Sequence, residues 1–395
     1  MKKYLMTFFL IFFWICPVYG KHHVPTKKKT IPPKTVSTKT VEKEEPFSSI
    51  VVVEADSGRI FEEYNPHLKW PPASVTKLML ASIVMERVVK GSVKLTDRIT
   101  VSKKASQMGG SQVFLKQGES FTLEELMKAV LVASGNDASY AVAEFIAGSA
   151  EAFVNCMNEK AKALNMADTE FHSVHGLPPS KGQKEDLISA HDLAILSREI
   201  LKYPKVLEWT SIETDTFRDG TFIMRNHNKL LGKIPGMDGL KTGFYYSAGY
   251  NIVATAKKGD LRLIVVVLGS PKAKIRDQVV MERFKKYMTQ YTIVTVLKKG
   301  EVINKNILIP DGKITELKGV AANNFSYLVP IEKKSSLKKE INLPEKIKGE
   351  IKEGQKLGEL IIQLDNVTIT NIDILSPVAI PKASIFTRFF RKIGF

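Results

Sequence analysis

The run Leu261-Arg262-Leu263-Ile264-Val265-Val266-Val267-Leu268 is apolar almost throughout. A strand of that composition has no side to offer water, so it belongs in the middle of a sheet. Lys257-Lys258-Gly259-Asp260 just before it is a hairpin signal, and Tyr250 to Ala256 reads as the antiparallel partner. A second hairpin comes early. Ile50-Val51-Val52-Val53 is strand-like, Asp56-Ser57-Gly58 is a turn, and Arg59 to Glu63 returns. Between these two strand regions the apolar period is helical. Leu78, Met79, Ala81, Ser82, Met85 and Val89 fall mainly on one side of a helix starting at Ser74, straight after Pro71-Pro72. Thr122-Leu123-Glu124-Glu125 is a capping-box pattern that opens a helix through Leu126, Val130 and Leu131. That helix ends near Ser134-Gly135-Asn136-Asp137, and another is expected from Ala138 with Val142 and Ile146 on one face. A last helix runs through Met281, Phe284 and Tyr287. Strands flanking a helical middle give a mixed α/β (α+β) domain over residues 47–289.

After about residue 290 the texture changes. Ile293 to Leu297, Ile307 to Ile309, Tyr327 to Val329 and Leu360 to Ile362 are short strand-like runs separated by Lys, Gly and Asp turns. They indicate a small all-β domain over 290–381. The tail, 382–395, contains Ser384-Ile385-Phe386-Thr387-Arg388-Phe389-Phe390-Arg391-Lys392-Ile393-Gly394-Phe395. At helical spacing Ile385, Phe386, Phe389, Phe390 and Ile393 fall within a sector of roughly 140°, opposite Thr387, Arg388, Arg391 and Lys392. It is too short to span a bilayer and suits a helix lying on an anionic lipid surface.

At the other end, Met1-Lys2-Lys3 precedes an apolar run from Tyr4 to Ile15 and then Pro17-Val18-Tyr19-Gly20. That is the pattern of a cleaved export signal over 1–20. Residues 21–46 are Lys-, Thr- and Pro-rich and read as a basic linker. Removing the signal would leave Cys156 alone, so the expected core holds together without an intrachain disulfide. The formal charge of +17 points to an anionic partner. Export excludes nucleic acid and favours an anionic lipid surface or cell-wall polymer.

Three short motifs carry chemistry. Ser74-Val75-Thr76-Lys77 puts a hydroxyl and an amine on one face of a helix start, so Lys77 can act as the base that Ser74 needs. Ser134-Gly135-Asn136 lies between two helices; Ser134 can relay a proton, and the Asn136 amide can hold a substrate peptide group. Lys241-Thr242-Gly243 lies on or beside a strand; Lys241 and Thr242 can bind a carboxylate, and Gly243 would let a substrate backbone approach. Each motif alone is weak, since all three also occur as caps, turns and strand ends. Their order and placement are those of penicillin-binding proteins and serine β-lactamases. Competing sites are poorly supported: no G-x-S-x-G elbow or H-E-x-x-H occurs, and His172 and His175 read as structural. No metal or cofactor is expected.

On these residues the chain resembles the low-molecular-mass penicillin-binding proteins that are serine-type D-alanyl-D-alanine carboxypeptidases. The likeness includes Pro72 to Met79, Ala133 to Ala138, His175-Gly176-Leu177, Asp238 to Gly243 and Ala248-Gly249-Tyr250-Asn251. The resemblance implies a β-lactamase-like catalytic domain, with peptidoglycan stem peptides as substrate and penicillins as covalent inhibitors. It implies that Ser74 attacks the penultimate carbonyl with Lys77 as base, and that Ser134 and Lys241 pass the proton to the leaving amine. It also implies an oxyanion hole from the backbone N–H groups of Ser74 and Phe244, with Lys241 and Thr242 facing the terminal carboxylate. Arg276 matches a carboxylate-binding arginine of some members, or is a solvated helix-start arginine. The export signal and the tail put the expected site of action in the periplasm or at the outer face of the cytoplasmic membrane, with the C-terminal helix as peripheral anchor. Phe244-Tyr245-Tyr246 departs from the small or polar residues of many members, and His227 stands where members often carry a basic residue. Two rivals remain. One is a serine β-lactamase, for which Glu151 to Asn155 supplies an E-x-x-x-N pattern that reads as accidental; the other is a wall-binding scaffold with a relic site.

Overall fold

The structure is a computed structural model and describes residues 45–393. The leader expected at 1–20 and nearly all of the linker expected at 21–46 lie outside those residues. Strand β1 (Ser49–Glu54) turns back into β2 (Ile60–Tyr64), and a 3-10 turn (Ala73–Thr76) runs into helix α1 (Lys77–Val89). Next come β3 (Arg98–Thr100), α2 (Lys103–Ser106), β4 (Ser120–Thr122), α3 (Leu123–Leu131), α4 (Asn136–Ala147) and α5 (Ala150–Ala163). Helices α6 (Ala190–Ile200) and α7 (Pro204–Thr210) lead to the hairpin β5 (Thr214–Phe217) and β6 (Phe222–Arg225). Three long strands follow, β7 (Met237–Tyr245), β8 (Gly249–Lys258) and β9 (Leu261–Ser270), and then α8 (Ala273–Gln290).

Five of these strands form one antiparallel sheet in the order β2-β1-β9-β8-β7. The apolar run Leu261–Leu268 is its central strand. Alternation sends Ile264, Val266 and Leu268 into a large core built with the helical middle, and Leu263, Val265 and Val267 into a second core under α8. Both faces are covered, which is why no polar side was visible in the sequence.

Helix α1 crosses the large core. Every residue from Lys77 to Met85 is buried, not just the expected apolar face, and the helix emerges only in its last turn, where Val89 is 71% exposed. Its helical conformation begins at Lys77, because Ala73–Thr76 is held as a tighter turn. The capping box of α3 closes as expected: Glu125 N–H donates to Thr122 Oγ1 at 3.2 Å, and Thr122 N–H to Glu125 Oε2 at 2.7 Å. Helix α4 starts at Asn136, two residues before the expected Ala138. Asp137 in its first turn accepts backbone N–H bonds from Val113, Leu115 and Ala138, which suits a carboxylate at a positive helix end.

Beyond α8 the chain is all-β. Strand β10 (Tyr291–Leu297) is followed by β11 (Val302–Leu308), β12 (Glu316–Ala321), β13 (Phe325–Pro330), β14 (Leu337–Asn342), β15 (Lys356–Leu364) and β16 (Val367–Leu375). β10 pairs with β13; the rest form a sheet ordered β11-β12-β16-β15-β14 around a third core that includes Ile307, Ile309, Ile362 and Ile374. The tail forms α9 (Ile385–Lys392), shorter than the expected 382–395, capped by Ser384 Oγ accepting from Thr387 N–H at 3.1 Å. Its Ile385, Phe386, Phe389 and Phe390 face outward, between 51% and 77% exposed. Its basic side is not wholly free, since Arg391 donates to the Gly312 carbonyl at 2.8 Å. No helix among the described residues is long and apolar enough to cross a membrane.

Candidate active site

Ser74 is placed by a turn that is fastened from several sides. Trp70 Nε1–H donates to the Ala248 carbonyl at 2.8 Å, and Asn251 Nδ2–H to the Pro71 carbonyl at 2.8 Å. Asn251 Oδ1 in turn accepts from Gly269 N–H at 2.8 Å, so the sheet holds the Pro71-Pro72 segment directly. Two glycines let neighbours close in. Gly176 has φ +75°, and a Cβ there would sit 2.0 Å from the Ala73 carbonyl oxygen. A Cβ on Gly243 would sit 2.3 Å from the Pro72 carbonyl oxygen and 3.1 Å from Ser74 N. The missing side chain of Gly243 also admits the nucleophile turn, bringing β7 against the Ser74 amide.

Lys77 Nζ lies 3.0 Å from Ser74 Oγ, 2.7 Å from Asn136 Oδ1 and 2.7 Å from the His175 carbonyl. The last two partners can only accept, so they take two N–H bonds. The third direction of the amine faces Ser74. With two protons on nitrogen that direction is a lone pair, able to receive the serine proton. Asn136 is buried, and its Nδ2–H donates to the Gly109 carbonyl at 2.7 Å, which fixes Oδ1 toward Lys77. The same amide orients the base and keeps a second N–H beyond the one given to Gly109. Burial, and then the Lys241 ammonium, hold Lys77 well below the usual lysine range, with Asp186 and Asp137 opposing.

Ser74, Ser134, Thr242, Gly243, Phe244 and Arg276 line one cleft of about 400 Å³, with Ser111, His227, Lys229, Tyr250 and Asp277 among the other walls. Lys77 and Lys241 are buried at its base rather than on its surface. Ser134 sits at φ +60°, a left-handed backbone that is rare for a serine and typical of strained functional turns. Arg276 is only 4% exposed, not the solvated helix-start residue that remained an alternative. Its guanidinium donates to Asp277 Oδ1 at 2.6 Å and to the Asn251 carbonyl at 3.3 Å. Burial and Arg276 lower Lys241 to about 7. Burial and the lysines Lys241, Lys229 and Lys77 lower His227 to about 4, so its imidazole is neutral at pH 7. Cations thus dominate the cleft, and Asp277 is the one acid that lines it. That field suits a ligand ending in a carboxylate. Phe244 stacks on Tyr250 with ring centroids 4.2 Å apart, Tyr245 O–H donates to Glu185 Oε1, and Tyr246 is 98% exposed.

Several residues of the site had no motif to announce them. Asp186 accepts from Thr76 Oγ1, the backbone N–H groups of His172 and Ser173, and Ser173 Oγ. It thereby shapes the loop that brings the His175 carbonyl to Lys77. His175 was read as structural, and its ring is: burial and Lys77 lower it to about 3, and Nδ1 accepts from Leu177 N–H. The only hint in the sequence was that His175-Gly176-Leu177 belonged to the resemblance. Glu151 and Asn155 lie on α5, and neither lines the cleft. Among the described residues no group of three or more His, Cys, Asp or Glu is placed to hold a metal.

Comparison with known proteins agrees with this geometry. Residues 35–272 match the family described as D-alanyl-D-alanine carboxypeptidase, and residues 291–382 match the penicillin-binding protein 5 C-terminal domain. The chain is 35% identical over 350 residues to D-alanyl-D-alanine carboxypeptidase DacF of Bacillus subtilis, covering 88% of this chain and 89% of that one. It is 31% identical over 350 residues to DacC of Escherichia coli, covering 86% and 85%. Penicillin binding protein 5 of Haemophilus influenzae superposes with a TM-score of 0.68 at 28% identity, over 85% of this chain and 98% of that one. Penicillin-binding protein D2 of Listeria monocytogenes, in an ampicillin-bound form, superposes at 0.56 and 30% identity, over 62% of this chain and 98% of that one.

Proposed function

The chain belongs to the D-alanyl-D-alanine carboxypeptidase family, and on that premise we propose that it removes the terminal D-alanine of peptidoglycan stem peptides through an acyl-enzyme on Ser74. The observation that carries the assignment of roles is the environment of Lys77. Its amine is buried, held by two acceptor-only partners, and aimed at Ser74 Oγ at 3.0 Å. The neutral amine takes the serine proton as Oγ attacks the penultimate carbonyl. The developing oxyanion is met by the N–H groups of Ser74 and Phe244. Ser134 and Lys241 return a proton to the leaving D-alanine amine, while Thr242 and Arg276 hold its carboxylate. Water then hydrolyses the ester.

The same serine takes penicillins, whose strained amide presents a carbonyl in the same place. A long-lived adduct distinguishes this reading from a β-lactamase. The lone acid of the cleft, Asp277, is occupied by Arg276 at 2.6 Å, which leaves no lining carboxylate to activate deacylating water. The enzyme works outside the cell, delivered by its leader and resting on anionic lipid through α9, whose exposed Phe386, Phe389 and Phe390 support that docking. Ser74→Ala is expected to abolish D-alanine release from a pentapeptide ending in D-Ala-D-Ala. Unchanged release would remove Ser74 from the mechanism. Deleting residues 384–395 is expected to move the protein from the membrane to the soluble fraction, and continued membrane association would sink the anchoring role.

A further inference from the structure

The strands that carry the active site have a second cavity at their other end. β7 runs from Gly243 at the cleft to Met237, about 20 Å away at strand rise. Beside Met237, α8 and the β8–β9 hairpin enclose a cavity of about 450 Å³, within the range of ligand sites. Its floor is apolar: Ile234, Met281, Phe284 and Met288. Its rim carries four ammonium groups, from Lys233, Lys257, Lys258 and Lys285, and no acidic residue lines it.

Some lysines of the protein are paired with carboxylates and others, Lys103 and Lys104 among them, are not. Lys160 pairs with Glu86 and Glu199, Lys205 with Glu124 and Glu208, and Lys333 with Asp365. Among the described residues none of the four rim lysines has a carboxylate partner; Lys258 instead donates to the Met288 carbonyl at 3.0 Å. Four unpaired like charges stand around a floor on which Met281 is 39% exposed, which sets mutual repulsion beside exposed hydrocarbon. A small anion would answer only the charge, and a neutral amphiphile only the floor.

We propose that this cavity binds an anionic membrane lipid, with an acyl chain on the floor and the headgroup on the lysines. The outward apolar side of α9 leaves a second lipid-compatible surface on the same chain. The proposal is independent of the catalytic reading. Two measurements on the full chain test it, each with the variant Lys257→Gln/Lys285→Gln and with Lys103→Gln/Lys104→Gln as the control for general loss of charge. The first is calorimetric titration with dodecyl phosphate, inorganic phosphate and dodecyl maltoside below their micellar concentrations. Saturable one-to-one binding of dodecyl phosphate alone is expected, at least tenfold weaker in the rim variant and unchanged in the control. The second is partitioning onto phosphatidylglycerol vesicles, expected to fall roughly tenfold or more in the rim variant only. Equal binding of the maltoside, no saturable binding of dodecyl phosphate, or equal loss in rim variant and control would each overturn the site. Dodecyl phosphate binding without a rim-dependent vesicle effect would overturn the membrane lipid as occupant. Unchanged penicillin acylation of both variants shows that they are folded.

Discussion

Replacing Lys241 by methionine is expected to make the protein more stable while disabling it. Burial and the Arg276 guanidinium lower the Lys241 amine from 10.5 to about 7. At about 1.36 kcal/mol per unit, that gap corresponds to about 5 kcal/mol against folding where both the folded and the unfolded chain carry the proton. The unfolded chain holds this proton up to about pH 10.5, and the folded one releases it near pH 7. Across that window the unfolded state binds more protons, so stability rises with pH; below about pH 7 the penalty is full and constant. Methionine has a similar length and no charge. It forfeits the Nζ bond to the Thr242 carbonyl, 3.1 Å long and worth about 1 kcal/mol. Lys241→Met should therefore exceed wild type by about 3 kcal/mol at pH 7, and the advantage should shrink by about 2 kcal/mol by pH 9. Urea unfolding followed by the fluorescence of Trp70 and the fully buried Trp209, both in the catalytic region, reads this difference. A variant less stable than wild type at pH 7, or a difference that does not change between pH 7 and 9, would refute the reasoning.

Three further outcomes follow from the same geometry. Acylation by penicillin needs a neutral Lys77, so its rate should fall as pH drops through the lowered Lys77 pKa; Lys241→Gln removes a cation pressing on Lys77 and should move that limb to higher pH, read by acylation rates across pH. Gly176→Ala drives a Cβ into the Ala73 carbonyl at a positive φ, and should cost more than about 2 kcal/mol in urea unfolding while lowering the acylation rate at least tenfold. Arg276→Gln should reduce cleavage of D-Ala-D-Ala peptides about 10- to 100-fold, yet leave peptides with an amidated C-terminus at their wild-type rate.

The sequence was most legible where one residue type has one physical reading. An eight-residue run with a single polar side chain had to be the central strand, and Thr122 with Glu125 had to cap a helix. The pairing of Ser74 with Lys77 was visible because three residues of helical chain bring them together in any fold. Contacts made across the fold were less so. Nothing near Asp186 in the chain shows that it organises the His175 loop, since its partners Thr76 and Ser173 are distant in sequence or unremarkable in type. Gly243 was read for what a substrate would need, and the packing of the nucleophile turn proved the stricter constraint. Asn136 was assigned to substrate because an amide can bind a peptide group; its bonds to Lys77 and Gly109 join residues 59 and 27 positions away, which no local pattern shows. Helix α1 was read as one-sided from the stripe through Leu78, Ala81, Ser82 and Met85, although Leu80, Ile83 and Val84 on its other side are apolar too and both faces are buried.

The central claim is that Ser74, activated by Lys77, is the nucleophile of a slowly deacylating enzyme. Intact-protein mass spectrometry after a short exposure to benzylpenicillin tests it most directly. The account predicts a mass increase of one penicillin that persists after the free drug is removed, is absent from Ser74→Ala, and maps to the peptide containing Ser74. An equal adduct on Ser74→Ala, or an unmodified wild-type protein that has consumed the penicillin, would contradict it.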